Sequence, residues 1–136
     1  MPRFTKPKDL ERHLKAALDS LHAEVITTVQ SELGSAAVSP YDTGRFRSSW
    51  FAAESQSSNE VAPEGANSPN TDAMGLKVDA SKRYHLTNNL PYAQSVAIEG
   101  NVVSQPRTWF SSFRNQRIPK IQEAATKVIR QRFDLD

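Results

Sequence analysis

Residues 40–50 read PYDTGRFRSSW and decide how the middle of this chain is built. Thr43 is a residue type that caps helices, since its hydroxyl can accept a hydrogen bond from a free backbone N–H. It predicts a single helical turn over residues 44–48. A strand is predicted to follow at about residues 50–55. The stretch therefore predicts a helical turn that leads directly into a strand.

A second stretch, residues 87–100, reads TNNLPYAQSVAIEG and predicts a similar boundary. The apolar–polar alternation over residues 83–87 indicates a strand. Asn89 is a capping residue, and Pro91 suits the first turn of a helix, where no backbone N–H is needed. Gly100 is expected to end this helix. The second stretch therefore predicts a strand followed by a short helix.

Long helices are predicted at both ends of the chain. The first helix is predicted over residues 7–33: apolar residues at steps of three and four form one stripe from Leu10 to Leu33, Pro7 suits the first turn, and Gly34 suits a left-handed position just past the end. Residues 106–133 also keep a helical phase. Pro119 interrupts it, and a proline inside a helix removes a hydrogen bond at a cost of ~3 kcal/mol. We therefore expect a kink or a break near Ile118.

Length and composition fit a single domain, residues 1–136, with an undersized core. Hydrophobic residues make up 38% of the chain, whereas ~45–50% is typical. Residues 59–70 are rich in Pro, Gly, Asn, Ser and Glu and have little apolar surface to bury, so we predict a mobile polar loop at about residues 56–72. Residues 74–78 are expected to form a short strand. The predicted class is α+β, with a small antiparallel or mixed sheet flanked by a long N-terminal helix and a C-terminal helix.

Several classes of site and location are not expected. The chain has no cysteine, which excludes disulfides, cysteine-based zinc sites and a thiol nucleophile. His13 and His22 share a predicted helix but not the four-residue spacing of a metal pair, and His85 lies elsewhere. We therefore predict no metal and no cofactor. The N-terminus has no signal-peptide pattern and no stretch is apolar enough to span a membrane, so we expect a soluble protein made in a reducing cytoplasm.

The triplet Asp42-Thr43-Gly44 also occurs in aspartic proteases, where two aspartates share one proton on a dry, symmetric loop. Here Arg45 and Arg47 follow directly, and their charges favour the ionised carboxylate over a shared proton. A turn and a helix cap explain the triplet better, so we predict that the protein is not an enzyme. A dimeric protease built on Asp42 is a distant alternative.

Basic and aromatic residues alternate near the C-terminus. Residues 105–136 hold seven basic and three acidic side chains, a net charge of +4. Trp109, Phe110 and Phe113 lie among these basic residues, a mixture that proteins binding single-stranded nucleic acid use for stacking and phosphate contacts. Their helical spacing instead favours a place in the core. A nucleic-acid-binding accessory protein is therefore the alternative function.

The order of these features resembles the small head–tail joining or tail-completion proteins of long-tailed phages, over residues 8–133. That family carries an Asp-Thr-Gly-Arg segment followed by an aliphatic or aromatic residue, and an Asn-Asn-x-Pro-Tyr-Ala segment followed by Glu and Gly. Here Asn101-Val102-Val103 and a single Pro106 follow the glycine, where the family often has a Gly-Thr or Gly-aromatic pair and a second proline. The candidates for motif or interface residues are Asp42, Thr43, Gly44, Arg45, Phe46, Asn89, Pro91, Tyr92, Glu99, Gly100 and Trp109.

The resemblance implies a structural virion protein that turns over no substrate and needs no cofactor. Such proteins form a homo-oligomeric ring, here expected with six- or twelve-fold symmetry, in the neck between head connector and tail tube. Their partners are the neighbouring neck, connector and tail-tube proteins, and DNA passes through the channel without sequence recognition. The protein is then assembled in the bacterial host cytoplasm and resides in the virion. Because arginines lining a channel would hold phosphate tightly, we expect most basic residues beyond residue 105 to face the outer side of the ring or a subunit interface, where acidic residues of the first helix could pair with them.

Overall fold

The computed structural model describes residues 4–35, 38–39, 44–100 and 106–135. They form an α+β domain with a two-stranded antiparallel sheet and a helix at each end, which confirms the predicted class. The elements in chain order are α1 (Pro7–Leu33), α2 (Arg45–Ser48), β1 (Trp50–Glu54), a 3-10 turn (Asp72–Gly75), β2 (Tyr84–Asn88), α3 (Ala93–Ala97), α4 (Trp109–Ser112), a π-helical turn (Phe113–Arg117) and α5 (Ile118–Arg132).

The sheet pairs β1 with β2 so that Trp50 lies opposite Asn88 and Glu54 opposite Tyr84. Both strands were predicted to within a residue at either end. The strand predicted at residues 74–78 is wrong, because Asp72–Gly75 forms a 3-10 turn. The carboxylate of Asp72 accepts a hydrogen bond from the backbone N–H of Ala52 on the outer edge of β1. A third strand beside β1 would need that same N–H.

Helix α1 begins at Pro7 and ends at Leu33, as the apolar stripe predicted. The left-handed conformation expected at Gly34 is wrong, since its φ is −80°. The reason for a glycine is steric: a Cβ there would lie 2.8 Å from the Cβ of Pro69. The end of α1 is therefore shaped by close contact with the loop that precedes the 3-10 turn.

The C-terminal helical region is irregular just before Pro119, near the predicted position, but it does not break. Phe113–Arg117 is π-helical and runs directly into α5, whose first turn contains Pro119. A single π-helical turn is a local widening inside an α-helix, and here the helical backbone stays continuous through Pro119. Ile121, Ala125 and Ile129 stay in phase on the buried face of α5.

The loop at residues 56–72 packs against the rest of the domain. Ala62 is buried, its backbone N–H donates to the Ser49 hydroxyl oxygen at 3.1 Å, and its carbonyl accepts from Arg45 at 2.7 Å. The segment therefore makes specific contacts with the domain, in which the side chains of Ser49 and Arg45 satisfy the backbone of Ala62. Its mobility in solution stays a prediction.

Candidate functional site

The two motif segments meet at the Phe46 ring, which is 1% exposed. Its centroid lies 5.7 Å from that of Trp50, 6.4 Å from that of Tyr92 and 6.0 Å from that of Trp109. Phe110 completes the group by stacking on Trp50 at 5.9 Å. We call these five residues the aromatic cluster. It joins α2, β1, the start of α3 and α4 in one contact, and edge-to-face and offset pairs of this kind stabilise beyond their buried area.

Helix α2 aims Phe46 into the cluster. It begins after Gly44, whose φ of 83° is a left-handed conformation that favours glycine. A Cβ on Gly44 would also lie 3.0 Å from Asn67. From the second motif, the Asn88 amide donates to the Phe46 carbonyl oxygen at 2.9 Å, across 42 residues of sequence. Gly44 takes the N-cap position that was predicted for Thr43. Asp42 and Thr43 lie outside the described residues, so the protease alternative stays untested.

The cap predicted at Asn89 is wrong. Helix α3 begins at Ala93 and has no side-chain cap. The Asn89 amide instead donates to the carbonyl oxygens of Ser58 at 2.6 Å and Glu60 at 3.2 Å. Pro91 lies in the turn just before α3, two residues ahead of the first helical residue, Ala93, and so outside the first turn of the helix where it was predicted. The polar residue therefore fastens the loop rather than the helix.

Motif residues from both segments thus hold the same loop. Arg45 of the first motif binds the carbonyl of Ala62, and Asn89 of the second binds those of Ser58 and Glu60. Three carbonyls within five residues are fixed in this way. We call residues 58–62 the tethered segment. Its attachment to both motifs sets the position of the whole polar loop on the surface.

Trp109 and Gly100 close the other side of the aromatic cluster. The Trp109 indole N–H donates to the Val96 carbonyl at 3.0 Å, which ties α4 to α3. Gly100 has a φ of 71°, and a Cβ there would collide with the carbonyl oxygen of Arg107. The Arg107 guanidinium reaches the backbone carbonyl of Glu99 at 3.4 Å. The Glu-Gly pair of the second motif therefore lets two backbone segments approach closely.

A residue that the sequence did not single out, Gln30, joins three elements in the interior. It is 1% exposed and donates from its amide to the carbonyl of Trp50 and to the Asp72 carboxylate. Its amide oxygen accepts the N–H of Ala73 at 2.9 Å. The signal in the sequence was a polar residue on the same helical face as Ile26 and Leu33, both buried.

Charged groups form two links between α1 and the rest of the chain. Arg117 makes a bidentate ion pair with Glu32 at 2.6 and 2.8 Å, which raises the pKa of Arg117. This pair lies within one chain and involves one of the seven basic residues beyond residue 105, so the expectation that most of them face outward or a subunit interface stays a prediction. Asp19 accepts the backbone N–H of Ala80 at 2.9 Å and pairs with Lys15, and both contacts lower the pKa of Asp19. The second link holds the turn that leads into β2.

Histidines and carboxylates do not assemble into a metal centre among the described residues. His13 bonds through Nε2 to the carbonyl oxygen of Phe133 at 2.6 Å, and His22 packs against the Tyr84 ring with centroids 5.6 Å apart. In the ranges that the structure describes, no helix is long and apolar enough to cross a membrane.

Comparisons of the chain with protein-family models, curated proteins and solved structures found no match.

Proposed function

We propose that this chain is a structural subunit of the neck or tail end of a tailed phage, where it forms a homo-oligomeric ring around a DNA channel. The observation that carries the proposal is the meeting of two motifs, 42 residues apart, around Phe46. Both motifs are the segments that resemble this family. Two short matches that build one cluster support the resemblance more than either does separately.

The contacts that the motif residues make with the polar loop also suit a protein that acts by assembling with neighbours. The side chains of Arg45 and Asn89 donate hydrogen bonds to backbone carbonyls of the tethered segment. Around these anchors the loop stays largely exposed, with Val61 among its accessible apolar side chains. A polar loop held at a fixed place on the surface is suited to contact a neighbouring subunit or neck protein.

The alternative, a nucleic-acid-binding accessory protein, has less support. Base stacking needs exposed aromatic faces. Trp109 and Phe113 are buried, and Phe110 is stacked on Trp50 and covered by the Arg114 guanidinium at 5.8 Å. The basic side chains of α5 are exposed and could contact phosphate, which is the observation that still supports this alternative.

Particle composition tests the proposal. Quantitative mass spectrometry of purified virions should find the chain at six or twelve copies per particle, the expected ring number. The purified protein should bind DNA weakly, with no steep dependence on salt concentration. Absence from virions together with strongly salt-dependent DNA binding would favour the accessory-protein alternative.

The loop contact gives a sharper variant. Asn89→Ala removes both amide contacts to the tethered segment and should reduce the yield of tailed particles, while the helical signal of the purified chain is kept. Asn59→Ala is the matched control, since it deletes an exposed amide in the same loop. Equal particle yields from both variants would show that anchoring the loop has no part in assembly.

A further inference from the structure

The outer edge of β2 is an open main-chain edge. The N–H of Ser55 donates to the carbonyl of Arg83 at 2.7 Å. In the antiparallel register, the backbone N–H and C=O groups of Arg83 and of every second residue after it therefore point toward β1. The backbone N–H and C=O groups of Tyr84 and Leu86 then point away from β1. Within the described part of the chain these groups have no hydrogen-bond partner. Such an edge is a template for one more strand.

An apolar groove of about 240 Å³ lies beside this edge. Helix α1 contributes Val25 and Ile26 to its lining, the sheet contributes Tyr84 and Leu86, and the C-terminal helical region contributes Phe110 and Ile118. An open edge next to an apolar groove is the arrangement that binds an extended peptide. Main-chain hydrogen bonds give affinity, and the groove receives an apolar side chain.

The opposite edge of the sheet is partly occupied and carries a projecting side chain. Gln30 binds the Trp50 carbonyl and Asp72 the Ala52 N–H on the outward side of β1, and the 3-10 turn presents Met74, which is 74% exposed. Beyond it the backbone is extended at Leu76, and the backbone groups of residues 77–78 have no partner in the ranges that the structure describes. We call residues 74–78 the Met74 segment. It combines an exposed apolar side chain with free extended backbone.

We propose that the Met74 segment of one copy adds to the β2 edge of the next copy and inserts Met74 into the apolar groove. The two surfaces match in chemistry, because the free backbone of one meets the free backbone of the other and a flexible thioether fills an irregular apolar space. They lie on opposite edges of one sheet, so the contact is head-to-tail. Head-to-tail contacts generate rings when the rotation closes. The inference rests on the proposed function for ring closure and supplies its interface.

Single cysteines test this contact cleanly, because the chain has none of its own. Met74→Cys and Leu86→Cys are purified separately, mixed and oxidised. A disulfide-linked dimer should form in the mixture and not in either variant alone. Ile98→Cys, an equally accessible apolar position elsewhere, replaces Met74→Cys in the control mixture and should give no dimer. A mixture that gives no more dimer than the control overturns the proposal, as does dimer from Leu86→Cys alone, which would mean that two β2 edges pair.

A second variant keeps the test informative if Leu86→Cys fails to fold. Met74→Glu changes an exposed side chain and should shift the sedimenting species from oligomer to monomer, with the circular dichroism spectrum unchanged. Ile98→Glu should leave the oligomer intact. An unchanged oligomer for Met74→Glu contradicts the proposed contact. The failure of the neck proposal has a different result: cross-links form in solution, but the chain is missing from virions.

Discussion

Replacing Gln30 by leucine should be among the most destabilising changes of similar volume in this chain. Leucine keeps most of the packing but removes the amide, and the carbonyl of Trp50 and the N–H of Ala73 then lose the partners that the structure shows. Each buried polar group left without a partner costs about 1–3 kcal/mol, so the two together predict a loss of roughly 2–6 kcal/mol. Because a domain of this kind is stable by only ~5–15 kcal/mol, the loss is a large part of the total.

Urea unfolding followed by tryptophan fluorescence measures this loss directly, since Trp50 and Trp109 lie in the aromatic cluster. The midpoint should fall while the slope with urea stays constant. Gln131→Leu, an exposed position on α5, is the matched control and should change the free energy of unfolding by no more than ~0.5 kcal/mol. Equal stability of Gln30→Leu and the control would refute the argument that this amide joins α1, β1 and the 3-10 turn.

Two further variants have matched comparisons within the chain. Gly100→Ala should destabilise the domain more than Gly65→Ala, because both glycines have positive φ but only at Gly100 does a Cβ meet backbone atoms. Thermal unfolding of the two variants checks this order, and equal shifts in the unfolding temperature would contradict it. Asp19 has a pKa held below its ordinary 3.8 by the Ala80 N–H and by Lys15, so its stabilising contribution is present above that pH and is lost as the pH falls through the lower, folded-state pKa. Asp19→Asn should therefore be less stable than the wild type at pH 7 and lose less stability on acidification, which chemical unfolding at several pH values measures; parallel acid profiles would rule this out.

Elements with a strong local pattern were predictable from the sequence. Pro7 and the apolar stripe predicted both ends of α1, and the alternation of apolar and polar residues before Asn89 predicted β2. Two of the failures, the strand at residues 74–78 and the cap at Asn89, share a physical cause, which is competition from groups distant in sequence. Asp72 occupies the edge of β1 where a strand at residues 74–78 would have paired, and the carbonyls of the tethered segment take the Asn89 amide away from the helix start. Local propensity contains neither competitor.

The candidate site shows the same limit. The residue types of the aromatic cluster were visible in the sequence, and helical spacing favoured Trp109 as core. That Phe46, Tyr92 and Trp109 meet could not be read from spacing, because the contacts close loops of many residues. Gln30 was missed because its role depends on three partners that only the fold brings together.

The difference between the two edges of the sheet connects the fold to the proposed assembly. A two-stranded sheet is marginal without further packing. Strand β1 is held on one side by β2 and on the other by Gln30 and Asp72, whereas among the described residues β2 has a backbone partner on one side only. A strand contributed by a neighbour would therefore stabilise β2 most, at the edge where the apolar groove lies. Side chains already occupy two outward backbone groups of β1, which makes that edge a poorer template for a second copy than the β2 edge and favours head-to-tail association.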